Sequence, residues 1–179
     1  MEIKVIQASI QETNADAVLV NLFEGAPPAG GTSAVDKALN GEISELIHSN
    51  DLRGKLNEKV VLYTRGVLPS PRVIVIGQGR VGDLTLDRIR EASATGARKA
   101  RELGCRSIAS TIFGADQLDP SLAAQATVEG TLLGLYRWRA NHTTPVERDD
   151  IESLIIVEPD AGKIKTAEQG VNAGQAVAA

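Results

Sequence analysis

The chain has 179 residues, enough for one sizeable domain or a domain plus the edge of another. Its formal net charge is −4 and its pI near 5.3, so it offers no overall basic field to nucleic acid or to an anionic membrane. A single cysteine, Cys105, excludes an internal disulfide framework, and no apolar run approaches the ~20 residues of a membrane span.

The amino-terminal Met1-Glu-Ile-Lys lacks the features of a signal peptide, and the simplest expectation is a cytoplasmic protein with no membrane association. Metal chemistry is limited in the same way. Cys105, His48 and His142 are scattered without ligand spacing, and the 23 acidic residues form no tight cluster.

Taken in order, Glu2 to Ser9 alternates like a half-buried strand, with Ile3 and Val5 on one face. Thr13 to Asp16 is turn chemistry, and the continuous apolar run Ala17 to Val20 suits a strand covered on both faces. Glu24 to Gly31, dense in glycine and proline, predicts a loop. Thr32 or Ser33 is expected to cap a helix through Ala34, Val35, Ala38 and Leu39; Gly41 breaks it, and Ile43, Leu46 and Ile47 continue the stripe.

Two strands follow, Val60–Tyr63 and Val73–Ile76, joined by a Gly/Pro turn. Thr85 is expected to cap a helix from Leu86 to Leu103, stopped by Gly104. At about 100° per residue, Leu86, Ile89, Ala92, Gly96, Ala97, Ala100 and Leu103 share one arc of it. Ser107 to Phe113 reads as a strand. Asp119 and Pro120 then open a helix running to about Arg139. Asn141 to Asp150 predicts a loop, Leu154–Val157 a last strand, and Lys163 to Ala179 a helical tail. The order ββαββαβαβα implies a three-layer α/β fold with a mixed sheet.

Few residues suggest chemistry. Gly77, Gly79 and Gly82 match the spacing of a dinucleotide-binding fingerprint. In that fingerprint, however, the first strand feeds the glycines, the third glycine lies within the helix, and an acidic residue follows about 20 positions on. Here the strand is about the fourth, the helix begins after Gly82, and the acidic position falls inside the long helix, so a tight strand-to-helix turn is the expectation. Arg88, Arg90, Arg98, Lys99, Arg101 and Arg106 make one helix locally positive. Interleaved Asp87, Glu91 and Glu102 with no stacking aromatics point to a solvated face. Glu129, on an apolar helix, is expected to be paired. Asp16 suits a turn as well as a ligand role. No nucleophile–base constellation can be assembled, and no catalytic, cofactor-binding or metal-binding residue is assigned.

Phrases spread along the chain nevertheless form a pattern: Ala15-Asp-Ala-Val-Leu-Val-Asn-Leu-Phe-Glu-Gly25, Ala34-Val-Asp-Lys-Ala-Leu39, Gly54-Lys-Leu, Leu62-Tyr-Thr-Arg-Gly66, Val75-Ile-Gly-Gln-Gly79 and Val128-Glu-Gly-Thr-Leu-Leu-Gly-Leu-Tyr-Arg-Trp138. In order and spacing they resemble the N-terminal domain of the leucyl aminopeptidase (cytosol aminopeptidase) family. The resemblance implies a macro-domain-like fold with a mixed, mostly parallel sheet flanked by helices over residues 1–160, with the strands Val60–Tyr63 and Val73–Ile76 in the middle of that sheet. Residues 161–179, ending Gln169-Gly-Val-Asn-Ala-Gly-Gln-Ala-Val-Ala-Ala179, then look like a linker helix toward a catalytic domain.

For the whole protein the resemblance implies a cytoplasmic hexamer acting on peptides with two divalent metal ions, zinc or manganese. The family's metal-binding and catalytic residues belong to the C-terminal domain, and no Asn-Thr-Asp-Ala-Glu-Gly-Arg-Leu segment occurs here. This chain is therefore expected to serve assembly or regulation rather than catalysis. Two alternatives accompany the resemblance: a macro-type module binding ADP-ribose or a nucleotide, and a DNA-contacting accessory domain. For the first, Asp16 and Asn21 are superficially similar to macro-domain ligand positions, with a spacing one residue longer and no second asparagine after Leu22-Phe-Glu.

Overall fold

The computed structural model describes residues 1–136 and 150–179. Among these residues six strands form one sheet in the order β1-β6-β5-β2-β4-β3. They are β1 (Glu2–Gln7), β2 (Ala17–Leu22), β3 (Lys59–Tyr63), β4 (Arg72–Gly77), β5 (Ser107–Ser110) and β6 (Ser153–Glu158). Every pairing is parallel except β3 with β4. The expected mixed, mostly parallel sheet is therefore present.

The strand pair β3 and β4 does not sit in the middle of the sheet. β3 is the edge strand, and the centre is β5 and β2. The physical reason is visible in the side chains. Lys59 and Tyr63 of β3 are exposed, whereas Val18, Leu19 and Val20 of β2 are fully buried.

Among the described residues five helices cover the two faces: α1 (Gly30–Ala38), α2 (Glu42–His48), α3 (Leu86–Glu102), α4 (Pro120–Leu135) and α5 (Ile164–Ala178). Alternation along each strand divides the core in two. Leu19, Ile74, Ile76, Ile108, Leu154 and Ile156 face α3, α4 and α5. Val18, Val20, Val73, Val75, Ala109 and Val157 face Val35 of α1 and Ile43 of α2. This is the three-layer arrangement.

Helix starts show which local signals held. Thr85 accepts a hydrogen bond from the Arg88 N–H, and Asp119 from the Leu122 N–H, with Pro120 in the first turn. Thr32 and Ser33 do not cap α1. The helix begins at Gly30 with Ala29 at the cap position, and the Thr32 hydroxyl instead donates to the Asn21 carbonyl at 2.6 Å. Gly41, at φ +86°, separates α1 from α2 as expected. β5 stops at Ser110, short of Phe113, because the chain leaves the sheet there. The Phe113 N–H turns to the Thr127 hydroxyl at 3.3 Å, and its ring is fully buried.

The helix layer is packed through small residues. A side chain at Gly130 would come within 2.2 Å of the Arg90 carbonyl oxygen, and one at Gly170 within 2.2 Å of the Ser121 carbonyl oxygen. α4 therefore lies in van der Waals contact with α3 on one side and α5 on the other. This explains why its sequence is apolar around most of its circumference. The helix ends at Leu135 rather than near Arg139, because Tyr136 leaves the helical conformation at φ −58° and ψ 128°. The loop from Asn141 to 149, with His142, falls outside the described residues.

Candidate functional site: a cleft at the strand ends

β2 and β5 are neighbouring parallel strands whose chains leave the sheet on opposite faces. β2 leads to α1, and β5 leads to α4 on the other side. Such a switch point leaves a crevice at the carboxyl ends of the strands, the place where open α/β sheets bind ligands. A cavity of about 350 Å³ lies there, lined by Ile10, Gly31, Ala34, Thr111, Asp116 and Lys163 among others. A second lobe of about 100 Å³ extends from it past Asn21 and Phe23. The two lobes share Gly30, Gly31, Thr111, Ile112, Ala115 and Asp116.

Local structure builds the crevice from both sides. The loop after β2 delivers Gly30 and Gly31, which open α1. A side chain at Gly31 would come within 2.6 Å of the Thr111 methyl and 3.1 Å of the Ile10 methyl, so only glycine lets the backbone approach this closely. On the far side the turn after β6 contributes Glu158 and Asp160. Glu158 Oε1 accepts the Asp160 N–H at 2.9 Å, and Asp160 Oδ1 accepts the Gly162 N–H at 2.8 Å.

The residues that the sequence singled out lie elsewhere, with Asn21 the exception. Gly77 and Gly79 pack against the Gly54–Lys55 backbone. A side chain at Gly77 would lie 1.9 Å from the Lys55 carbonyl oxygen. The Gly79 N–H donates to the Gly54 carbonyl, and the Gly79 carbonyl accepts from Glu24 N–H, both at 2.9 Å. Gly82 meets nothing within 4 Å. The glycine loop is thus a strand exit, stapled to its neighbours by backbone.

Asp16 sits at the opposite end of β2 from the cleft. Its Oδ2 accepts the Arg106 and Ser107 N–H groups at 2.8 and 2.9 Å, clamping the start of β5. Burial pushes its carboxyl up, but the Arg106 and Ser107 hydrogen bonds, aided by the nearby Arg72, outweigh this and hold it below the usual carboxylate value. Asn21, which does line the second lobe, donates to Gln78 Oε1 at 2.6 Å and so ties β2 to β4.

Four of the five cations of the long helix, all but Arg88, bond within the fold. Arg90 pairs with Glu129 and Asp87, Arg98 donates to the Thr95 hydroxyl, Lys99 pairs with Glu102, and Arg101 donates to the Leu135 carbonyl. Arg106 pairs with Glu152. Among the described residues no three His, Cys, Asp or Glu side chains converge to hold a metal ion. No described helix is long and apolar enough to cross a membrane.

Sequence reasoning passed over the cleft residues. The signal was present in Gly30-Gly31 following a buried strand, but those glycines read only as loop. Thr111, Asp116 and Asp160 are brought together by topology alone.

Comparison with known proteins agrees with this architecture. A model of the cytosol aminopeptidase family, N-terminal domain, matches residues 19–145. A probable cytosol aminopeptidase of Alkaliphilus oremlandii is 29% identical over 99% of this chain and 36% of its own length. Among solved structures, a mutant of tomato leucine aminopeptidase aligns with a TM-score of 0.75 at 20% identity, over 99% of this chain and 36% of that one. A Trypanosoma brucei macrodomain in complex with ADP aligns with a TM-score of 0.68 at 15% identity, over 95% of this chain and 69% of that one. These two likenesses describe the fold. The chain spans about a third of the length of the curated relatives it matches. With well over half of its residues inside the family match, this chain belongs to the cytosol aminopeptidase family and carries its N-terminal domain.

Proposed function

We propose that the chain acts as a non-catalytic domain that positions or regulates a metal-dependent aminopeptidase domain, within a cytoplasmic homohexamer. The observation that carries this reading is coverage: nearly the whole chain aligns with only about a third of each relative named as a cytosol aminopeptidase. In this reading residues 1–160 form the body of the domain. Residues 161–179 form the connection to the catalytic domain, whose two zinc or manganese ions and peptide substrates lie outside these residues. The purified chain is therefore expected to release no product from leucyl p-nitroanilide, with or without added manganese or zinc. Release above the no-protein blank would overturn the reading.

A second reading, a module for ADP-ribose or a related nucleotide, draws support from the position of the cleft at the ends of β2 and β5 and from the likeness to macrodomains. Charge weighs against it, since Asp116, Glu158 and Asp160 line the larger lobe against Lys163 alone. Calorimetric titration with ADP-ribose and NAD separates the readings; flat traces at high ligand concentration remove the second.

A further inference from the structure

The β3 edge of the sheet is open. At both ends of the β3–β4 ladder the bonded residues of the outer chain are even-numbered. The Glu58 carbonyl accepts the Gly77 N–H at 2.7 Å, and the Thr64 N–H donates to the Pro71 carbonyl at 3.0 Å. Bonded residues alternate along an antiparallel pair, so Lys59, Val61 and Tyr63 turn their N–H and C=O groups away from β4. Among the described residues none of these six groups has a backbone partner.

The same three residues share one face of the strand, the face toward α3. Val61 packs on the core there, while Lys59 and Tyr63 stand exposed. The helix leaves them uncovered because it lies further in. A side chain at Gly96 of α3 would come within 2.9 Å of Ile76 in β4 and 3.3 Å of Leu19 in β2.

The sequence Lys59-Val-Val-Leu-Tyr63 is complementary to itself when it meets a copy antiparallel about a two-fold axis at Val61. Val61 then faces Val61, and Val60 faces Leu62, on opposite sides of the extended sheet. Lys59 faces Tyr63 twice, and all six outward backbone groups of each copy are used. A register two residues further along would set Lys59 against Arg65, two like charges, and one two residues back would set Tyr63 against Asn57. A lysine on an edge strand usually guards it against pairing. In the symmetric register this one meets an aromatic ring instead of a second cation. Space is sufficient as well. The two α3 helices would stand about 14 Å apart or more, three strand spacings, against a helix diameter of about 10–12 Å.

We propose that β3 is a self-association edge, where a second copy of this chain adds its own β3 and joins two six-stranded sheets into one. The inference rests on the sheet edge alone. Peptidase assays test the proposed role of the domain, whereas the mass of the chain in solution tests this edge.

The test is sedimentation equilibrium of the purified chain from micromolar to millimolar protein. A concentration-dependent species of twice the 18.9 kDa chain mass is expected. Tyr63→Lys sets lysine against lysine at both symmetric positions and is expected to weaken association about tenfold or more, since two cation–ring contacts are lost together. Its side chain is exposed, so folding is unaffected. Adding Lys59→Glu to Tyr63→Lys places opposite charges across both positions and is expected to restore the dimer. Val61→Pro removes an outward N–H without touching the β4 ladder and abolishes association. A monomer at millimolar protein, association that Tyr63→Lys leaves unchanged, or a double variant no tighter than Tyr63→Lys would each overturn the proposal.

Discussion

Arg90 of α3 and Glu129 of α4 meet across the helix layer, with Arg90 Nε donating to Glu129 Oε2 at 2.5 Å. The Glu129 side chain is 4% exposed and the Arg90 side chain 31%. Gln125 Nε2 donates to the other carboxylate oxygen at 2.6 Å. The hydrogen bond that Arg90 donates to Glu129 leads the causes that raise the Arg90 pKa. Removing Arg90 leaves a buried carboxylate with one neutral partner. Breaking a fully buried pair costs ~3–5 kcal/mol; because Arg90 is partly solvated, Arg90→Met is expected to cost about 2 kcal/mol after discounting for screening. Urea unfolding reads this as a lower midpoint at unchanged slope. A midpoint equal to wild type would show that the pair contributes nothing.

The clamp at Asp16 makes a pH prediction. Its folded pKa is lowered, so its contribution is complete above the unfolded value and is lost as pH falls through the folded one. Asp16→Asn is expected to be less stable than wild type at pH 7 by roughly 1–2 kcal/mol, the scale of hydrogen bonds to a charged acceptor. The difference should shrink below about pH 4, near the unfolded aspartate value. A gap independent of pH from 7 down to 3 would contradict the ionic origin of the clamp.

The glycine loop separates scaffold from fingerprint by substitution. Gly77→Ala drives a methyl into the Lys55 carbonyl oxygen and is expected to cost about 3 kcal/mol or more, whereas Gly82→Ala meets open space and should change stability by under ~0.5 kcal/mol. A cofactor cradle would instead show both substitutions altering nucleotide binding. Thermal unfolding of the two variants, with and without NAD, distinguishes these outcomes.

The DNA-contacting alternative predicts binding that falls steeply with salt. The internal pairing of Arg90 and Lys99 and the net charge of −4 lead to the opposite expectation. Fluorescence anisotropy with duplex DNA at 50 mM salt should stay flat up to micromolar protein. A saturable signal that weakens with added salt would restore that alternative.

Local chemistry was legible wherever it was strong and self-contained. Thr85 and Asp119-Pro120 announce the starts of α3 and α4, and the Ile89, Ala92, Gly96, Ala97 arc of α3 is the buried one. The pairing of Glu129 followed from the cost of burying a lone carboxylate. Two features were hidden because they depend on pairing across long sequence distances. The edge position of β3 is set by β2 taking β4 and β5 as its neighbours, which no window of β3 reports. The cleft exists because α1 and α4 leave adjacent strands toward opposite faces. The start of α1 was misplaced for a related reason: the Thr32 hydroxyl, a good cap in isolation, is taken by the Asn21 carbonyl.

The small residues of α5 have a mechanical consequence. Side chains at Gly170 and Gly174 would clash with the Ser121 and Gln125 carbonyl oxygens, so α5 lies flush against α4 for most of its length. The helix that closes the domain's outer layer is also its last described element. A catalytic domain joined after it, as in the proposed full-length enzyme, would be mounted on a stiff strut rather than a tether. Its orientation would follow the domain as one body, and strain in the α3–α4–α5 layer would be felt at the joint.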